Sequence, residues 1–138
     1  MNVRNTLSVI GGIVASMIVI FIGEGISFKM NPLPASVDLK NILSVKAYIA
    51  SAPASLHLMI LLIYAAGCLA GGMVSSMIAA DKKLSKANTV GGILLGFGIY
   101  SLLNVGHPMW VIIVSIFVFL PFAYFGGLIG LRLSTKKE

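Results

Sequence analysis

The chain has 138 residues, 58% of them hydrophobic and 10% charged, with a mean hydropathy of +1.01. A soluble domain carries charge on roughly a quarter of its residues, so the solvent this fold must satisfy is lipid. The net charge of +6 sits in short segments between uncharged runs. That distribution sets membrane topology and does not make the continuous basic face that nucleic acid requires.

Residues 7–23 contain no Lys, Arg, Asp or Glu. An apolar run of about 20 residues crosses ~30 Å of hydrocarbon, and this one reaches that length only if Glu24 is admitted near its end. A first helix is expected over about residues 5–28. Arg4 followed by an apolar core also has the look of a secretory signal. The core from Leu7 to Ile22 is longer than usual, and no convincing small-x-small cleavage site follows before Lys29, which favours a retained helix. Counting ~1.5 Å per residue from Leu7 puts Glu24 about 25 Å along the axis, near the far edge of the hydrocarbon.

Residues 29–53 form the one long connection. Pro32 and Pro34 hold its start extended. Ser36 is placed to cap a short helix over Val37 to Ala50, with Leu39, Ile42, Leu43 and Ile49 on an apolar face flanked by Lys40 and Lys46. Such a helix either lies in the outer interface or forms a lid over the bundle mouth.

A second span is expected over 54–80, after Pro53 and before Asp81-Lys82-Lys83, with His57 near its start. Cys68 is the only cysteine, so no intramolecular disulfide can form. A third span covers 87–105 and ends at Asn104. Asn104-Val105-Gly106-His107-Pro108 then turns the chain into a fourth, over 108–132. Pro108 suits a first helical turn, Pro121 should kink the span, and Trp110 fits an aromatic belt. Four spans leave no room for a soluble domain. The expectation is one all-α, polytopic membrane domain: a four-helix bundle with a short outer interfacial helix.

Short loops carrying Lys and Arg face the cytoplasm. With the N-terminus inside, Arg4, Lys82, Lys83, Lys86, Arg132, Lys136 and Lys137 are cytoplasmic, seven against the three outer lysines 29, 40 and 46. Both termini are therefore expected inside. Arg132, Lys136 and Lys137 then form an anchor for the anionic inner leaflet.

Small residues recur at four-residue spacing in every span, at Gly12/Ser16, Gly67/Gly71, Gly92/Gly96 and Gly126/Gly130. They let backbones approach closely in lipid. The expected bundle is tight at the cytoplasmic end and splayed outside, the glycines packing within the monomer or against a second copy. Pro53 precedes Gly71-Gly72 by 18 residues, and Pro108 precedes Gly126-Gly127 by the same 18. That suggests a doubled hairpin in which Glu24 pairs with Asn104.

The candidates for chemistry are few. Ionisable groups inside spans are costly and face protein or water, so Glu24 is read as functional, as a structural partner of a histidine, or as exposed near the headgroups. His57, Asn104 and His107 lie at the same level. The four form a polar cluster that is structural, proton-sensitive or, less favourably, metal-binding. His-x-x-x-His and Glu-x-x-His spacings are absent, so neither a metal nor a cofactor is expected. No phosphate loop, dinucleotide fingerprint or nucleophile elbow occurs, which argues against an enzyme.

Glu24, Asn31-Pro32-Leu33-Pro34, Gly67-x3-Gly71-Gly72, His107-Pro108-Met109-Trp110, and Pro121 with Gly126-Gly127 carry a resemblance. On them the chain resembles a group of small four-helix proteins of the bacterial inner membrane. The resemblance implies that location and no activity. The expected function is association, as an accessory subunit of a larger membrane complex or a small homo-oligomer. The alternative is a small oligomeric transporter or channel with an outward-facing Glu/His vestibule.

Overall fold

The computed structural model describes residues 2–136. Five helices follow one another: α1 (Val3–Met30), α2 (Ile42–Ser51), α3 (Ala54–Ile78), α4 (Lys83–Val105) and α5 (Met109–Thr135). All but α2 are long and apolar enough to cross a membrane, and α4 is the least apolar of the four. The protein is a multi-pass membrane protein built as a helical bundle. Arg132 and Lys136 are exposed at the end of the chain; the third expected anchor residue, Lys137, lies outside the described residues.

Local chemistry sets the ends of the elements. The Asn2 side chain caps α1 by accepting the Arg4 N–H at 3.2 Å. The short helix does not start at Val37 under a Ser36 cap, as expected, but at Ile42 under Asn41, which accepts the Leu43 N–H at 3.0 Å. Asp38 explains the delay. Its carboxylate takes the Lys40 N–H at 2.9 Å and its own N–H reaches Ser44 Oγ at 3.1 Å, a local turn that competes with helix. Pro53 and Pro108 occupy equivalent N-cap positions on α3 and α5. The fourth element begins at Lys83, four residues before the expected 87, after Lys82 adopts a left-handed conformation at φ 43°. It ends at Gly106, φ 91°, where the N–H groups of Gly106 and His107 both donate to the Leu102 carbonyl, at 3.1 and 3.0 Å. A side chain at that φ would be strained, so glycine is what turns the chain and presents His107.

The bundle is organised around α3, which packs on α1, α4 and α5. Its core includes Leu61, Cys68, Leu94, Leu102, Phe119 and Ala123. At the end carrying the termini the helices meet backbone to backbone. A Cβ on Gly12 would lie 2.7 Å from the Gly71 carbonyl oxygen, and one on Gly71 would strike the Ser16 hydroxyl. Cβ atoms on Gly126 and Gly130 would run into the carbonyls of Leu69 and Met73, while Gly67 receives Ile20. Gly92 and Gly96 do not share this role. Nothing lies within 4 Å of a Cβ on either, and both are exposed. The helix phase is the reason: α4 packs on α5 through Gly91 and Gly98, two turns apart on one face, against Ala123 and Phe119. The other pair lies off that face.

A polar clasp closes the same end. Buried Asn5 accepts the Ala80 and Asp81 N–H groups at 3.1 and 3.4 Å and donates to the Asp81 carboxylate at 2.6 Å. Arg4 Nε donates to the Ile78 carbonyl at 2.7 Å, and Lys83 Nζ to Ser134 Oγ at 2.8 Å. The opposite end is looser. Between Ser16 and Ser27, α1 buries no residue, so α1 and α4 are parted there.

Candidate functional site

His57 stands in the second turn of α3 and His107 in the turn from α4 to α5. Their Nδ1 atoms lie 3.0 Å apart. Trp110, in the first turn of α5, lies at right angles to the His57 ring with centroids 5.7 Å apart. His57 is buried, and its Nε2 has no hydrogen-bond partner. Burial, with the facing His57 ring adding to it, pushes the His107 imidazole down to about 4. At neutral pH His107 is therefore uncharged.

His107 also lines a cavity of about 380 Å³. Its polar wall includes Glu24 and Ser27 of α1, Tyr64 of α3 and Ser101 of α4. Its roof is α2, through Val45, Tyr48 and Ile49, with Leu33 and Leu39 of the preceding segment. Thus α2 works as the lid. Ile42 and Leu43, assigned above to its packing face, point outward and are exposed. A Cβ on Gly106 would meet the Lys46 stem at 3.0 Å, and Lys46 does not line the cavity.

A second hollow of about 260 Å³ lies between α1 and α4 and shares Glu24, Tyr64 and Ser101 with the first. At the junction the Tyr64 hydroxyl lies within reach of both the Glu24 carboxyl and Ser101. Glu24 has no Lys or Arg partner among the described residues. The remaining walls are Met17, Ile20 and Phe21 from α1, Leu94, Phe97 and Gly98 from α4, and Phe119 from α5.

The expected four-residue cluster therefore divides. His57 and His107 pair, and His107 and Glu24 face one cavity. Asn104 joins neither, because its amide donates at 2.7 Å to the Tyr100 carbonyl one turn back on its own exposed helix face. Ser101 takes the place on α4 that Asn104 was expected to hold. Sequence reasoning missed it, since a serine in a lipid span is usually satisfied by its own helix. Tyr64 carried a stronger signal, a hydroxyl in an apolar run that needs a partner. Among the described residues no three His, Cys, Asp or Glu side chains are arranged to hold a metal ion.

The site is thus a roofed, mostly apolar cavity with one carboxyl, four hydroxyls, an amide and a neutral imidazole, joined at the carboxyl to a lateral apolar cleft. Comparison of the chain with protein-family models, with curated proteins and with solved structures finds no match.

Proposed function

We propose that the protein is a small, non-enzymatic transport protein of the bacterial inner membrane, with its termini in the cytoplasm and α2 outside. Its solute enters the cavity beneath α2. The single observation behind this reading is the position of that cavity. It lies at one end of the bundle, holds an uncompensated carboxyl at Glu24, and stands over a half in which glycines bring the helix backbones together. A roofed hollow above a tightly packed half suits a carrier better than a permanent pore. Ionisable groups within spans mark such pathways, and the excess of Lys and Arg at the terminal end supports the orientation.

Proteoliposomes holding a pH-sensitive dye and energised by a potassium diffusion potential test it. Wild-type protein should carry protons or small cations above the protein-free leak, and Glu24→Gln should cut that flux several-fold. Equal flux in the two proteins, or none above the leak, removes the transport reading.

A second reading, association, has its own support. On α4 the residues Asn88, Gly92, Gly96, Tyr100 and Asn104 follow at intervals of four, and all are exposed. A row that mixes amides with glycines is poorly suited to lipid and well suited to another helix, from a second copy or a larger complex. Native mass spectrometry in a mild detergent should then show more than one copy or a bound subunit, and Gly92→Leu/Gly96→Leu should disperse it. A monodisperse wild-type monomer ends this reading.

A further inference from the structure

The two hollows differ in what they ask of an occupant. The larger, beneath α2, carries the polar groups, whereas the smaller is walled almost wholly by apolar side chains. Phe21 and Phe97 on its rim are 80% and 70% exposed, so it opens sideways, where lipid chains lie. An occupant that fits both is amphiphilic, with its head at Glu24 and its chain between α1 and α4.

Charge narrows the head group. Neither wall contains Lys or Arg, and Glu24 is the only acidic residue in either. His107 is neutral at pH 7, its ring held at about 4. An anionic head would meet a carboxylate and no cation. A phosphate would find no charged donor, and a neutral head would offer a Glu24 carboxylate no counter-charge. An ammonium meets all these conditions and also finds the aromatic rings of Tyr64, Phe97 and Phe119 around the junction, whose faces attract cations.

Resting on the vestibule reading above, we infer that the site binds a singly charged alkylammonium amphiphile. Its ammonium sits on Glu24 beneath α2, and its alkyl chain enters sideways between α1 and α4. The chemistry is an ammonium on an apolar chain. Its source is a free lipophilic amine, because a phospholipid head would bring a phosphate that neither wall can pair.

The test uses the full chain in neutral maltoside micelles, titrated with dodecyltrimethylammonium and, separately, with dodecyl sulfate, and followed by calorimetry. Saturable binding of one ammonium per chain is expected. Glu24→Gln should weaken it about tenfold. Asp38→Asn, a carboxylate at the same end but outside both walls, should leave it unchanged, and dodecyl sulfate should not saturate. Phe97→Ala, on the exposed rim, should weaken the dodecyl probe more than tetramethylammonium. Equal affinity of wild type and Glu24→Gln, or equal binding of the sulfate, overturns the inference. Displacement of the probe by a free long-chain amine and not by phosphatidylethanolamine is expected; equal displacement by the phospholipid would overturn the exclusion of phosphate. Failure here alongside Glu24-dependent flux would leave the transport reading in place. Binding without flux would do the reverse.

Discussion

The Nδ1 atoms of His57 and His107 face each other at 3.0 Å, so one imidazole must donate while the other accepts. This bond ties the start of α3 to the turn between α4 and α5, and it exists only while the two rings hold a single proton between their Nδ1 atoms. A second proton there would set two N–H groups against each other.

A pH dependence follows from that geometry. The folded protein holds His107 at about 4, against an ordinary value of 6.5 in the unfolded chain. Between those values the unfolded state binds more protons, so stability rises with pH. The contribution is complete above about 6.5 and is lost as the pH falls toward 4. Thermal unfolding in detergent should show a midpoint that declines across this window. In His107→Ala the decline should flatten. A wild-type midpoint constant from pH 6.5 to 4 would contradict the assignment.

Asn5 makes a separate stability prediction. Its buried side chain serves two backbone N–H groups and the Asp81 carboxylate at the α3–α4 turn, which is the turn that contains the left-handed Lys82. Asn5→Ala removes the shared acceptor of two part-buried backbone N–H groups, at a cost of about 1 kcal/mol. Asn5→Asp would keep the acceptor and oppose Asp81, so it should rescue little. Denaturant titration of both variants checks this. A loss for the Ala variant smaller than that of a surface substitution such as Thr135→Ala would mean the clasp is idle.

The glycines divide by helix face. Gly126→Ala pushes a methyl group into the Leu69 carbonyl, so α3 and α5 must separate, with an overpacking cost of about 1–3 kcal/mol. Gly96→Ala meets nothing within 4 Å and gains helix propensity, so the monomer should be unchanged or slightly stabilised. Unfolding midpoints measured at a dilution where the protein is monomeric separate the two. Equal midpoints would mean that the α3–α5 crossing tolerates a side chain.

The fold was legible because lipid imposes a single requirement. Runs without charge must be helices, and Pro53, Pro108 and Gly106 mark where they start and stop. The start of α2 was misread because Ser36 and Asn41 are both good caps, and only the turn that Asp38 builds selects between them. The site was half legible. Glu24 and His107 stand out by charge and titration, whereas Ser101 does not, and choosing it over Asn104 depends on helix phase. A glycine spacing of four likewise reports that a face is smooth without reporting what it meets. That is why spacing alone does not tell that Gly92 and Gly96 face out of the bundle, away from the other helices of the monomer.

Water access to the cavity can be read directly. Cys68 is fully buried and is the only cysteine, so Cys68→Ala gives a thiol-free background at modest packing cost. In it, Ser101→Cys puts a thiol on the wall shared by both hollows, and Ser75→Cys puts one in the closed half, where Ser75 is fully buried. Ser101→Cys should react readily with small water-soluble methanethiosulfonates and Ser75→Cys should resist them. Glu24 beside Ser101 should also favour a trimethylammonium reagent over a sulfonate of similar size, once each rate is divided by its rate on a free thiol. That preference should collapse in Glu24→Gln/Ser101→Cys while the labelling itself persists. A preference for the cationic reagent that survives the loss of Glu24 would have to come from another negative group such as Asp38, and the cavity would then lose the Glu24 carboxylate as the group that selects its occupant.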